Sequence, residues 1–262
     1  MSSSDPAGAL ALAARLSWLE YRAAYPWRIY LISALPRALL QVLFFAYLGY
    51  FTGGHTGRTF AFVGASAHVM LIATVIKGPD VLLDERVLGT LYRLRLGVLS
   101  VPAVIAVRWW VYAAEAIVDA MAVIVVVGPF VVGLDVVERL LLALPLFGLV
   151  ALTTSALGLA VAAVSMTQRA DVLVTNLANY AALVVCGVVA PLSALGTVGM
   201  GIGRAVPLTH GLLAIRAAID GRPWVGEALL EAAVGAAWAA SAVIVLLVQE
   251  WRARAFGIGD RI

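Results

Sequence analysis

Six stretches of this chain are each long and apolar enough to cross a lipid bilayer, and they leave little sequence for anything else. They run over residues 29–51, 60–77, about 108–132, 139–165, 172–190 and 228–249. A spanning helix takes about 20 residues, and in hydrocarbon its backbone polar groups must be paired within the segment itself. Six such helices in 262 residues explain a composition that is 63% hydrophobic and 13% charged. A soluble domain carries about 25% charged residues, and a disordered chain needs low hydrophobicity and high charge. The pattern therefore predicts one all-α membrane domain over residues 1–262, with no room for a separate catalytic domain. Pro36, Pro129 and Pro145 fall inside or near the ends of the spans, where neighbouring helices can satisfy the freed carbonyls.

The flanks set the orientation. Residues 1–8 are polar, and 9–25 are expected to form a helix that stops near Pro26. In that helix Arg15 and Arg22 share a face, beside Trp18 and Leu19, a mixture suited to the headgroup region. An ordinary cytoplasmic extension remains the other reading. Arg15, Glu20, Arg22 and Arg28 interrupt the apolar core that a cleavable signal would need. With the N-terminus inside, 13 of the 18 Lys and Arg residues fall on the cytoplasmic side, which favours six spans with both termini inside. Cys186 is the only cysteine, and His55, His68 and His210 show no zinc-type spacing, so neither a disulfide nor a metal site is expected.

Between the second and third spans, residues 77–95 carry seven charges interleaved with leucines: Lys77, Asp80, Asp84, Glu85, Arg86, Arg93 and Arg95. Each charge would cost about 2.5–3.5 kcal/mol at mid-membrane, so the segment 78–107 is placed in the cytoplasm. Pro79 and Asp80 mark a helix start. A charged, leucine-rich helix at that place suggests docking to protein, or else a solvated loop helix. Asp84-Glu85-Arg86, Gly89-Thr90-Leu91 and Leu99-Ser100 resemble the cytoplasmic stretch of ABC type 2 permeases, the membrane subunits of ATP-binding-cassette exporters. The turn departs from the family's Pro-Leu-Ser pattern, with Pro102 displaced. Pro207-Leu208-Thr209-His210, Ala214-Ile215-Arg216 and Gly221 resemble the family's outer segment before the last span. The likeness covers essentially the whole chain.

The resemblance implies six transmembrane helices with an N-terminal interfacial helix (1–28), a cytoplasmic coupling helix within 80–97, and outer re-entrant helices within 191–227. It implies ATPase subunits and a second permease half, identical or related, as partners. It places the complex in the plasma membrane, and the Arg-, Ala- and Gly-rich composition fits a bacterial source. Asp84, Glu85, Arg86, Gly89, Thr90 and Leu91 would contact the ATPase. The chain has no Gly-x-x-x-x-Gly-Lys-Ser/Thr loop to cradle phosphates, so ATP and Mg would be bound by the partner and no cofactor by this chain. No nucleic-acid partner is expected. The implied cargo is an amphipathic small molecule, drug or lipid-like compound.

The third span holds Arg108, Tyr112, Glu115 and Asp119 at offsets 0, 4, 7 and 11, one helical face. At about 1.5 Å per residue, Asp119 lies about 16 Å deeper than Arg108. Two unpaired acids would cost about 5–7 kcal/mol, comparable to what the span's apolar side chains contribute to insertion. The stripe must therefore face protein or water. Structural packing, a water-filled cavity and a proton relay are all open, and the last would make the chain a proton-coupled secondary transporter. In the fifth span Asn176, Asn179, Tyr180, Leu183 and Gly187 share a face, read as dimer-seam packing or substrate contact. His68, near Ser66 in the second span, is read as hydrogen-bonded structure or as part of the pathway. In the outer segment, Gly196, Gly199, Gly201 and Gly203 precede a short helix expected at 208–219, and Arg204 and Arg216 face anionic groups or anchor at the interface.

Overall fold

The structure is a computed structural model that describes residues 6–87, 100–165 and 171–256. Every regular element among these residues is helical. Helix α1 (Pro6–Ala24) stops before Pro26, which has no N–H to continue the ladder. A helical turn (Trp27–Ile29) and a π-helical turn (Tyr30–Ala34) lead into α2 (Leu35–His68). This helix folds back on itself at Gly53 and Gly54. Gly54 has φ +60° and ψ −145°, a conformation open essentially to glycine alone. The two arms run antiparallel: Gly49 lies against Gly57 and Ala61, and Gln41 meets His68. Residues 52–59, which fall between the first two predicted spans, are thus helical on both sides of a two-residue reversal.

A π-helical turn (Ile72–Lys77) ends the second arm, and α3 (Asp80–Val87) follows. Helices α4 (Val101–Arg108) and α5 (Trp110–Val131) form one long rod, so the third span begins earlier than its predicted start. The predicted fourth span is two helices, α6 (Leu134–Leu142) and α7 (Leu144–Ser165). The break falls at Ala143 because Pro145 suits the first turn of a new helix and cannot sit inside an old one. Helix α8 (Asp171–Val185) is shorter than its predicted span. A 3-10 turn (Leu192–Leu195), α9 (Gly196–Arg204) and α10 (Thr209–Ile219) follow, and then α11 (Val225–Phe256).

By length and composition, four stretches are able to cross a membrane: Trp27–Glu85, which contains the reversal, Val101–Val131, Leu144–Ser165 and Val225–Arg252. The Leu192–Arg204 and Thr209–Ile219 pair, bent by 110°, makes a fifth if counted as one. Helix α11 lies along α7, α5 along α2, and α10 against α11 and α7. The π-helical turn Ile72–Lys77 packs among α5, α7 and α8, and α1 crosses α4. Gly158 in α7 lies so close to the Thr74 carbonyl that no Cβ would fit, the kind of close backbone approach that packs helices in lipid. One core gathers Phe62, Met70, Ile124, Phe147, Leu208 and Leu212. A second, around Leu82, Ile105, Trp109, Tyr112 and Leu246, fills the end where α3 and α4 meet. Large apolar side chains cover the outside, Phe130 at 87% exposure among them, as a lipid-facing surface requires.

Candidate functional site

One group of charged residues joins α1, α3 and the α4–α5 rod. There Pro79 and Asp80 start α3, and Glu85 on its second turn points at the end of α4. The Arg108 guanidinium uses one terminal nitrogen for Glu85, at 2.6 Å, and the other terminal nitrogen for Glu20 of α1. The Ser17 hydroxyl donates to the Arg108 carbonyl at 2.7 Å. Arginine suits this place because its planar fork donates in two directions at once. One side chain thereby joins α1, α3 and the base of the third span. Trp18 stacks on Trp110, and Tyr21 meets Tyr112 edge-on at 5.5 Å, which fixes α1 against the rod.

The sequence stripe is one buried face, as its spacing predicts: Arg108, Tyr112, Glu115 and Asp119 are all buried. Both of its acids have donors. Lys77, the chain's single lysine, forms an ion pair with Glu115 and lies 4.7 Å from the Tyr25 ring centroid. The Tyr30 hydroxyl donates to Asp119 at 2.6 Å. Tyr25 itself donates to Asp80 at 2.7 Å. Burial, and next the bond to Asp80, push the Tyr25 hydroxyl above the usual tyrosine range, so it stays protonated and keeps donating. Sequence spacing found the stripe but not Lys77, Tyr30 or Glu20 as the partners of Glu115, Asp119 and Arg108, because those lie on other elements. The one lysine at the end of a predicted span was the available signal.

Of the residues assigned to ATPase contact, Asp84 is exposed on α3 and Glu85 is half-buried against Arg108. Arg86 lies in α3 with its side chain outside the described residues, as are Gly89, Thr90 and Leu91.

In the interior, His68 is buried between two partners. The Asn179 carbonyl can only accept, so His68 Nε2–H donates to it at 3.2 Å, and Nδ1 accepts from the Gln41 amide at 3.2 Å. The ring is thus a neutral cross-link between the arms of α2 and helix α8. The predicted face of α8 is divided. Asn179 is buried beside His68, Asn176 donates to the Val172 carbonyl at 2.8 Å, and Tyr180 is 60% exposed.

At the other end, Glu231 organises the broken helix pair. It is fully buried and accepts from the Leu208 and Gly211 amides, each at 2.8 Å, and from the Thr153 hydroxyl. The first amides of α10 have no partners within their own helix, and a carboxylate there also meets the favourable end of the helix dipole. It supports Leu208 at φ +95°, a strained conformation for a side chain of this size. A lone acid inside the predicted last span was the sequence signal for it. His210 pairs with Glu227 at 2.7 Å, and the Pro207 carbonyl faces Cys186. Arg216 donates to the carbonyls of Gly187 at 2.9 Å, Phe60 at 3.0 Å and Val188 at 3.3 Å. Among the described residues, no group of His, Cys, Asp and Glu has the geometry to hold a metal ion.

Residues 16–219 match the family model for the ABC-2 type transporter. The match takes in the charged cluster, the buried stripe and the broken helix pair. No curated protein and no solved structure gave a match.

Proposed function

The chain belongs to the ABC-2 type transporter family, and from that premise we propose that it works as the transmembrane subunit of an ATP-driven exporter. Two such halves, identical or related, pair with two separate ATPase subunits that bind ATP and Mg. Each half crosses the membrane six times: the two arms of α2, the α4–α5 rod, α7, α8 and α11. Both termini are cytoplasmic, and α9 and α10 re-enter from the outer side.

The observation that carries this reading is Arg108 bridging Glu85 and Glu20. A push on α3 from an ATPase is felt at once by α1 and by the base of the third span. Asp84, exposed on the same helix, contacts the partner. The cargo is an amphipathic small molecule, drug or lipid-like compound, drawn from a cavity between the two halves. The half-exposed face of α8 with Tyr180 belongs to the seam between them.

The test is co-purification from native membranes followed by transport in vesicles. The expected result is an ATPase bound to the chain and cargo movement that needs ATP. Gradient-driven transport by the purified chain alone would overturn the proposal.

A further inference from the structure

A cavity of about 410 Å³ opens at the reversal end of the bundle, between the start of the second α2 arm and the end of α10. That volume lies within the range of small-molecule sites, about 300–1,000 Å³. Thr56 and Thr59 border it on one side, Leu192 and Leu213 line it with apolar surface, and Arg216 forms part of its wall. Its charged lining is two arginines and two acids, Arg216, Arg222, Asp220 and Glu227. Arg222 is paired with Asp220 at 2.8 Å, and Glu227 with His210 at 2.7 Å. Arg216 has no carboxylate paired with it among the described residues. Its three hydrogen bonds go to backbone carbonyls. Phe60 stacks on the guanidinium at 3.4 Å, covering one face. A cation held by carbonyl dipoles and an aromatic ring keeps its charge, and an anion arriving from the cavity would complete it.

We propose that this cavity is a binding site for the anionic headgroup of an amphipath, a phosphate or carboxylate, held by Arg216 with its apolar part against Leu192 and Leu213. The site goes beyond the transport reading, since an anion seated there is bound whether or not the chain moves it. The same chemistry is offered by an anionic membrane lipid and by a free phosphorylated solute. Glu227, at the cavity rim, opposes either one, so its neutralisation strengthens binding. A purely structural role for Arg216, stapling three carbonyls, makes no such prediction.

The experiment uses the full-length chain in nanodiscs of phosphatidylcholine, with or without phosphatidylglycerol, read by native mass spectrometry of retained lipid. A second arm adds glycerol phosphate and follows the thermal midpoint. Retention of phosphatidylglycerol over phosphatidylcholine identifies a lipid site. Stabilisation by glycerol phosphate without lipid retention identifies a site for a soluble anion. In whichever arm binds, Arg216→Gln should weaken binding about tenfold, the loss of one charge-assisted hydrogen-bonding group. Arg216→Lys should retain most of the binding, and Glu227→Gln should strengthen it several-fold. Absence of binding in both arms overturns the proposal. So does unchanged binding in Arg216→Gln or, should that variant not fold, the absence of any gain in Glu227→Gln.

Discussion

Lys77 and Glu115 are 13% and 4% exposed in their side chains, so their ion pair has little water to fall back on. Breaking such a pair from one side strands the other charge, at a cost of about 3–5 kcal/mol, whereas replacing both with apolar groups is often neutral. Lys77→Met alone should therefore lower the melting temperature in detergent strongly, and Lys77→Met with Glu115→Leu should recover most of the loss. Additive losses would show that the two side chains do not interact. Asp119 asks a different question, since its partner is a neutral hydroxyl, Tyr30. Asn still accepts that bond, so Asp119→Asn should keep transport within about twofold, a change of only a few tenths of a kcal/mol. Lost transport with ATP turnover intact would point instead to a proton relay through this stripe. The stripe was legible in the sequence because offsets of 4, 7 and 11 fix a helical face whatever surrounds it. Its partners were not, because Lys77 stands 38 residues from Glu115 and Tyr30 stands 89 from Asp119, and no local period relates them.

At the scale of elements, the apolar runs located most of the helices but misjudged where several begin and end. The polar stretch 52–59 falls between two predicted spans, yet it is helical on both sides of Gly53 and Gly54, and its polar side chains bond locally. Thr52 donates to the carbonyls of Leu48 and Gly49, Thr59 donates to that of His55, and Arg58 meets the His55 ring. The 139–165 run hides a break because hydropathy is blind to the lost N–H of Pro145. Helix contacts offer a sharper test in two glycines of α7. A Cβ at Gly148 meets nothing within 4 Å, whereas one at Gly158 would strike the Thr74 backbone. Gly148→Ala should stabilise by up to about 1 kcal/mol through helix propensity. Gly158→Ala should destabilise by about 1–3 kcal/mol through overpacking, because neither backbone can move away freely. Thermal melts of the two variants should shift in opposite directions, and parallel shifts would mean that α7 and the Ile72–Lys77 turn are not packed this closely.

Across the whole molecule, the two ends of the bundle differ in how they hold charge. One end holds Glu231 and Arg216 against backbone amides and carbonyls, which fixes a broken helix pair in place. The other uses side chains against side chains between elements far apart in sequence, an arrangement in which motion of one element displaces the rest. The charge of the 77–87 segment was legible in the sequence. The linkage was not, since Arg108 is 88 residues from Glu20 and meets it only through the crossing of α1 over α4. If α3 receives the ATPase stroke, the strength of the Arg108 bridge should set how much of it reaches the third span. Glu20 is 55% exposed, so water replaces its contact cheaply and Glu20→Gln should change stability by less than about 1 kcal/mol and transport little. Arg108→Met and Glu85→Ala remove the buried limb of the bridge. Both should still assemble with the ATPase and turn over ATP, but transport about tenfold or more slowly, a loss of at least about 1.4 kcal/mol of coupling. Arg108→Lys should fall between them and the native chain, because a single ammonium cannot hold both acids in the geometry of a fork. Transport, ATP turnover and complex yield measured on the same preparations separate coupling from folding. Native transport in Arg108→Met would show that the stroke reaches the membrane by another route.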